Sequence, residues 1–325
     1  MINVSIVSFG EVLIDFTPKN NNNKKLNGID IEAFEANPGG APANLAAVLG
    51  KYNVKSAFIG KVGNDKFGDT LINNLNGFNV DTSNVIKDKY YNTTLAFVHL
   101  NKDNDRSFSF FRNNGADTRI TLEDIDLNVF NDMEIFHFGS LSFTDEPIRS
   151  TTLDLLEYVD TKNLIISYDP NLRDKLWLRL DEAKWWILKG MEYADIVKIS
   201  EEELEFLTNK IDIQIGAEEL FEQFNIKLLI VTLGEKGSFY KTTKKTGLVD
   251  GYKAEVVDTT GAGDIFYGSF LYKLINNDKN IKISKDMDFN QLDIEDMLKF
   301  ANKAGSLSVT KKGAMTSIPN LEDIK

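Results

Sequence analysis

The order of residues in this chain predicts an α/β protein: a mostly parallel sheet with helices on both faces, plus a small β lid. Three observations predict it. From residue 134 onward, short apolar runs at 135–138, 164–168, 196–199 and 228–232 alternate with helical patterns, and such alternation builds a parallel sheet covered on both faces. Segments 94–100 and 106–111 instead alternate apolar and polar residues around the polar stretch 101–105, which marks an antiparallel hairpin. The residues able to do chemistry fall just after the expected strands, where sheets of this kind bind ligands.

Taken in order, residues 4–9 form a short β-branched run that ends at Gly10 and reads as a buried first strand. The asparagine- and lysine-rich residues 20–25 read as a solvated loop, and segments near 12–16 and 30–35 go with the hairpin into the lid. Pro38-Gly39-Gly40-Ala41-Pro42 breaks the chain before a helix over 43–49. A strand over 56–62 ends in Gly63-Asn64-Asp65, and a helix over 67–75 follows. The expected division is a core of 1–11, 37–91 and 113–325, with the lid formed by 12–36 and 92–112.

At 325 residues the chain can bury a large core. A formal charge of −12 argues against a nucleic-acid partner, because phosphate backbones select a basic face. There is no cysteine, so disulfides, thiolate nucleophiles and cysteine-held zinc are excluded. With His99 and His137 as the two histidines, a histidine-rich metal site is excluded too. A cation would then be a hard one held by oxygens, which suits magnesium. The first residues lack the pattern of a secretory signal, and no apolar run reaches membrane-spanning length, so a cytoplasmic protein without a membrane partner is expected.

The segment richest in chemistry is Asp258-Thr259-Thr260-Gly261-Ala262-Gly263-Asp264, which runs straight into an apolar helical pattern. Small residues leave main-chain N–H groups bare, and the helix start adds about half a positive charge at the same place. Asp264 is then a carboxylate beside a phosphate cradle, placed to deprotonate an alcohol. The plainer reading is a glycine-rich turn with Asp264 as a helix cap. Asp15, the Asp169-Pro170-Asn171-Leu172-Arg173 segment, Ser200 to Glu203, and Thr232-Leu233-Gly234 follow other strands, and one mouth of the sheet should collect them.

These residues carry a family resemblance. Pro38-Gly39-Gly40-Ala41-Pro42-Ala43-Asn44 with Gly60-Lys61-Val62-Gly63-Asn64-Asp65-Lys66-Phe67-Gly68, followed by the 258–264 motif, resembles both signatures of the ribokinase (PfkB-type) carbohydrate kinases. Gly10-Glu11-Val12-Leu13-Ile14-Asp15, residues 106–112, Gly139-Ser140-Leu141-Ser142 and residues 169–173 are most similar to bacterial fructokinases. The resemblance implies a Rossmann-like core with a β lid that serves as a homodimer contact. It also implies ATP-dependent phosphorylation of a ketose hydroxymethyl group, with D-fructose as substrate and fructose 6-phosphate as product. Asp264 would be the base, and the amides of Gly261, Ala262 and Gly263 would hold the phosphoryl oxygens. The sugar would lie between Asp15, Gly39, Gly40 and Asn44 on the core side and Phe97, Phe110 and Arg112 of the lid, with Asn171 and Arg173 lining the sugar and phosphate region. Glu203 would organise magnesium through water, and Ser200 stands where the family motif usually has Asn. Thr232, Gly234 and Gly237 match the nucleotide loop, and Asn302 a position beside adenine. Asp258, Thr260, Ser308, Lys311, Gly313 and Ser317 match a loop for a monovalent cation, usually potassium.

Alternatives stay open at several residues. Phe97, Phe110 and Phe111 either exclude water from the site or pack the lid and a dimer contact. Arg112 meets the sugar, a phosphate or Asp117. His137 reads as a satisfied buried histidine, His99 as a residue of site, core or surface, and Trp177, Trp185 and Trp186 as helix packing. A nicotinamide oxidoreductase would need G-x-G-x-x-G after the first strand, and a P-loop kinase G-x-x-x-x-G-K-[ST]; neither occurs. A catalytically dead sugar sensor conflicts with the intact 258–264 motif. Within the family, 2-keto-3-deoxygluconate kinase, or another PfkB-type sugar or nucleoside kinase, is the alternative; for the first, Arg112 and Arg173 could grip a carboxylate.

Overall fold

Strands Ser5–Phe9, Ile135–Gly139 and Ile165–Asp169 are buried along their whole length, as strands sandwiched between two helical layers must be. Structure comes from a computed structural model that describes residues 5–19, 24–26, 29–31, 33–100, 106–279 and 281–324. Successive side chains of each strand point to opposite faces. Val7, Phe136, Ile166, Val197 and Leu229 therefore pack one face against Leu155, Ile187, Leu204 and Leu220 of the surrounding helices. Ile6, Ile135, Ile165, Ile196 and Leu228 pack the other against Phe266, Phe270, Leu274 and Leu298.

From edge to edge, the strands of this sheet run Thr246–Asp250, Gly237–Thr242, Leu228–Thr232, Ile196–Ser200, Ile165–Asp169, Ile135–Gly139, Ser5–Phe9, Lys55–Gly63 and Val80–Asp81, with Val85–Asp88 also beside Lys55–Gly63. Pairing is parallel except for the hairpin that joins Gly237–Thr242 to both neighbours. A second sheet, in the order Arg106–Phe111, Leu95–Leu100, Leu13–Pro18, Phe34–Gly39, forms the lid. Helix Ala262–Ile275 is buried at every position from Asp264 to Leu271. A helix apolar all round belongs inside a protein, and this one packs between helices Ala41–Lys51 and Ile294–Ser308.

Most expected elements appear, with ends within two residues of those expected. The hairpin at 237–250 was not expected, because polar Thr and Lys residues at its turn and on its exposed edge hide the alternation. The solvated loop expected at 20–25 is corrected in part: Lys24–Leu26 is a strand paired with Ile29–Ile31, while residues 20–23 lie outside the described residues. The expected hairpin turn, 101–105, also lies outside them. Lid strand Phe34–Gly39 runs past the expected edge at 36 because its far end pairs with Leu13. Among the described residues, no helix is long and apolar enough to cross a membrane.

Candidate active site

The chain leaves Ser5–Phe9 for Lys55–Gly63 on one side, and later strands stack on the other, starting with Ile135–Gly139. Strand order therefore reverses at Ser5–Phe9, and a crevice opens outside the carboxyl ends there. Glu11, Leu141 and Asn171, each just past one of these strands, line a cavity of about 510 Å³ in that crevice.

The 258–264 turn forms its floor. Asp258 Oδ1 accepts from the Thr260 N–H (2.9 Å) and hydroxyl (2.6 Å), and its Oδ2 accepts from the Gly313 N–H (2.9 Å). Gly261 precedes the helix in the left-handed region, with φ +74°. A Cβ there would also lie 2.5 Å from Ala314 Cβ. Glycine is thus required twice, by conformation and by space. Gly261→Ala should displace the turn and lower kcat at least tenfold in a steady-state assay, whereas an unaffected kcat would show that the turn's shape is not needed. Asp264 sits in the first helical turn and caps nothing. Its Oδ2 accepts from Asn44 Nδ2 (2.7 Å) and its Oδ1 from Asn171 Nδ2 (3.3 Å).

The turn also separates two cavities. Thr259, Thr260, Gly261 and Asp264 line the first, together with Asp15, Gly40, Asn44 and Arg173. Thr259, Ala262 and Gly263 line a second, of about 310 Å³, with Thr232, Gly234, Gly237 and Asn302. Helix Ala262–Ile275 thus points its N-terminus at the boundary between the larger, more polar cavity and a smaller one with Phe266, Val256 and Tyr252 in its wall.

Burial raises the pKa of Asp264, while the Asn44 hydrogen bond, Lys198 and Arg173 work against that rise. Burial likewise lifts Asp15 to about 7 and Glu11 to about 7, opposed mainly by Arg173 and Arg112 respectively. Burial disfavours the Lys198 ammonium too, but Asp169 and Glu203 outweigh it and hold the lysine above its ordinary value.

Not every expected site residue reaches a cavity. Gly39 lines neither, but its missing Cβ makes room for the Asp15 carboxylate. The Ala262 N–H, expected to face a phosphoryl oxygen, donates to the Thr259 carbonyl at 3.2 Å. Arg112 is corrected from a sugar contact to a buried tie. Its Nε donates to Asp117 Oδ2 (2.7 Å), and its other nitrogens to Thr144 Oγ1 (2.5 Å) and the Leu141 carbonyl (3.1 Å). Phe97 is corrected as well: it stacks on Phe16 (4.7 Å) and meets Phe34 and Phe111 edge-on, on the lid face turned from the cavity. His99 is exposed on that face beside Ser109 (3.1 Å). Phe110 does line the cavity, joined by Phe108, which the sequence reading missed. Strand parity is the signal that finds it, since 108 and 110 share a face while 97, 109 and 111 share the other.

Ser200 lines neither cavity because its hydroxyl accepts from the Glu203 N–H (3.1 Å), capping helix Glu201–Thr208. Glu203 returns the bond through Oε2 (2.8 Å) and accepts from the Leu172 N–H through Oε1 (2.7 Å). Asn302 Nδ2 donates to the Val249 and Asp250 carbonyls, at 3.2 Å each. Of the residues matched to a cation loop, Gly313 reaches Asp258 (2.9 Å), while the Lys311 N–H donates to the Ser308 carbonyl (3.1 Å) and Ser317 Oγ to that of Ala314 (2.9 Å). His137 is buried against Ser167 (3.1 Å), and burial lowers its pKa to about 3. Trp177 and Trp186 pack in the core as expected, but Trp185 is exposed. Lys175, Lys198 and Glu11 were not among the expected site residues, and only their spatial neighbours reveal them.

Comparison with known proteins identifies the family. The pfkB family carbohydrate kinase model matches residues 3–321. Fructokinase-2 of Solanum lycopersicum is 40% identical over 323 residues, 98% of this chain and 94% of that protein. The crystal structure of fructokinase with bound ATP from Xylella fastidiosa superposes with a TM-score of 0.87 at 32% identity, covering 98% of this chain and 96% of the other. Fructokinase from Vibrio cholerae O395, in a form with fructose, ADP and calcium ion bound, gives 0.86 at 32% identity, covering 100% and 98%. A glycine-rich turn carrying Asp264 lies between two cavities, and residues 3–321 match the family model: this protein belongs to the pfkB family of carbohydrate kinases.

Proposed function

We propose that the protein transfers the γ-phosphoryl group of ATP to a hydroxymethyl group of D-fructose, giving fructose 6-phosphate and ADP. The observation that carries this reading is the 259–264 turn shared by the two cavities, with Asp264 on the sugar side and Gly263 on the nucleotide side. Fructose would occupy the larger cavity against Asp15, Asn44, Phe108 and Phe110, and adenine the apolar one near Phe266. Phosphoryl transfer is chiefly a matter of alignment and charge neutralisation. The sugar oxygen attacks phosphorus, its proton passes to Asp264, and the bond from phosphorus to the ADP oxygen breaks. The Gly261 and Gly263 amides and the helix N-terminus face the charge that develops.

Glu203 fits a magnesium ion held through water, since each of its oxygens keeps a lone pair beyond its main-chain bond. When bound, that ion neutralises phosphate charge. The stitched loop from Asp258 to Ser317 would hold potassium. We assign 1–11, 37–91 and 113–325 to the core and 12–36 and 92–112 to the lid, and infer a homodimer through the lid, whose outer face leaves Phe111 65% exposed. A cytoplasmic setting follows from the substrates.

Arg173 and Lys175 both line the sugar cavity, which favours 2-keto-3-deoxygluconate as the second reading. Against it, Arg112 is already committed to Asp117. A panel of kcat/KM values with magnesium-ATP decides. Fructose should exceed 2-keto-3-deoxygluconate, ribose and adenosine by at least about tenfold, and a higher value for the acid would replace fructose as the substrate.

A further inference from the structure

Behind the 261–263 turn lies a charged pair with no part in the mechanism above. Lys198 lines neither cavity, yet its Nζ is 3.1 Å from the point a Cβ on Gly263 would occupy. Strand Ile196–Ser200 brings it there, and Asp169, last residue of the neighbouring strand Ile165–Asp169, fixes it by a 3.0 Å bond to Oδ2. The two side chains are 7% and 4% exposed. Asp169 Oδ1 is buried with no hydrogen-bonding partner among the described residues, so the ammonium alone holds this carboxylate.

The groups that face Asp264 are Asn44, Asn171, Lys198, Arg173, Asp15 and Asp169. Two of them are cations and two are acids. A phosphoryl group on the adjacent amides adds further negative charge, and like charge raises a carboxyl's proton affinity. An Asp264 that takes up a proton before the sugar arrives cannot act as the base. Arg173 is on the exposed rim, where solvent screens it. Lys198 is buried, and its field at Asp264 is screened far less.

We propose that Lys198, clamped by Asp169, is a positioning residue that keeps Asp264 ionised while an anionic phosphoryl group occupies the neighbouring turn. This rests on the kinase reading above. It also gives a reason for glycine at 263: a methyl group there would press on the ammonium.

The test is the pH dependence of kcat at saturating fructose and magnesium-ATP, for Lys198→Met and for the neutral pair Lys198→Met/Asp169→Asn. The double variant keeps the packing without an orphaned charge, and a thermal melt verifies its fold. Removing the ammonium should move the acid limb up by about one pH unit or more, so that kcat measured below the wild-type limb falls about tenfold per unit moved. Asp169→Asn alone, which deletes a neighbouring negative charge, should not move that limb upward. A purely structural role would lower kcat with the limb unmoved. An acid limb in the folded double variant no higher than that of Asp169→Asn, or an upward shift in Asp169→Asn, overturns the proposal. Wild-type enzyme inactive on every sugar of the panel would instead overturn the functional reading.

Discussion

Asp264→Asn should fold like the parent and turn over fructose roughly 10²–10⁴-fold more slowly, a loss of about 3–5 kcal/mol in transition-state stabilisation. The amide keeps the size of the carboxylate; its oxygen still accepts from one of Asn44 and Asn171, which hold Asp264 at 2.7 and 3.3 Å, and its NH2 pairs with the other once that side chain turns its Oδ1 inward. What disappears is the acceptor for the hydroxyl proton. Binding should change little, so KM for the sugar should stay within a few-fold while kcat collapses. Steady-state assays of ADP release, with circular dichroism as the control for folding, measure both. Retention of more than about a tenth of wild-type kcat would remove Asp264 from the role of base.

Arg112→Ala should cost about 3–5 kcal/mol of stability, the usual penalty for stranding one member of a buried ion pair. Arg112 and Asp117 are 4% and 0% exposed and 2.7 Å apart. Asp117 has a second partner in the Thr94 hydroxyl at the foot of the lid, and Arg112 reaches Thr144 and Leu141 of the core. The substitution therefore loosens the lid's attachment as well as leaving a buried carboxylate unpaired. Denaturant unfolding measures the loss, and Arg112→Met/Asp117→Asn should recover most of it. If Arg112 instead gripped sugar or phosphate, Arg112→Ala would raise KM with stability unchanged.

That pair shows where reading the sequence succeeds and where it stops. Arg112 closing an aromatic strand was legible as a cation in want of a polar partner, and Asp117 was among the partners considered. Nothing in the spacing could choose between Asp117 and a sugar, because the choice depends on how Arg112 meets the 139–144 segment that follows a distant strand. Phe97 and Phe110 differ in the same way. Both are aromatic lid residues, but cross-strand register sends one to the lid's own cluster and the other to the cavity. Ser200 and Glu203 were read from a motif and prove to form a capping box, a local device their spacing of three also encodes. Lys198 sits in an apolar strand without any motif of its own, and the approach of its ammonium to the space beside Gly263 joins positions 65 residues apart in the chain.

Local chemistry determined a good deal without any coordinates. Hydrophobic periodicity settles where strands and helices form, because it reflects which faces can leave water, and the glycines of the 258–264 turn follow from backbone conformations that other residues resist. Tertiary structure alone decided which side chains meet: the pairing of Asp264 with Asn44, the diversion of Arg112 to Asp117, and the ammonium beneath Gly263. Those contacts join residues brought together by sheet order and register, and their energies depend on burial, which is a property of the assembled fold and of no single segment.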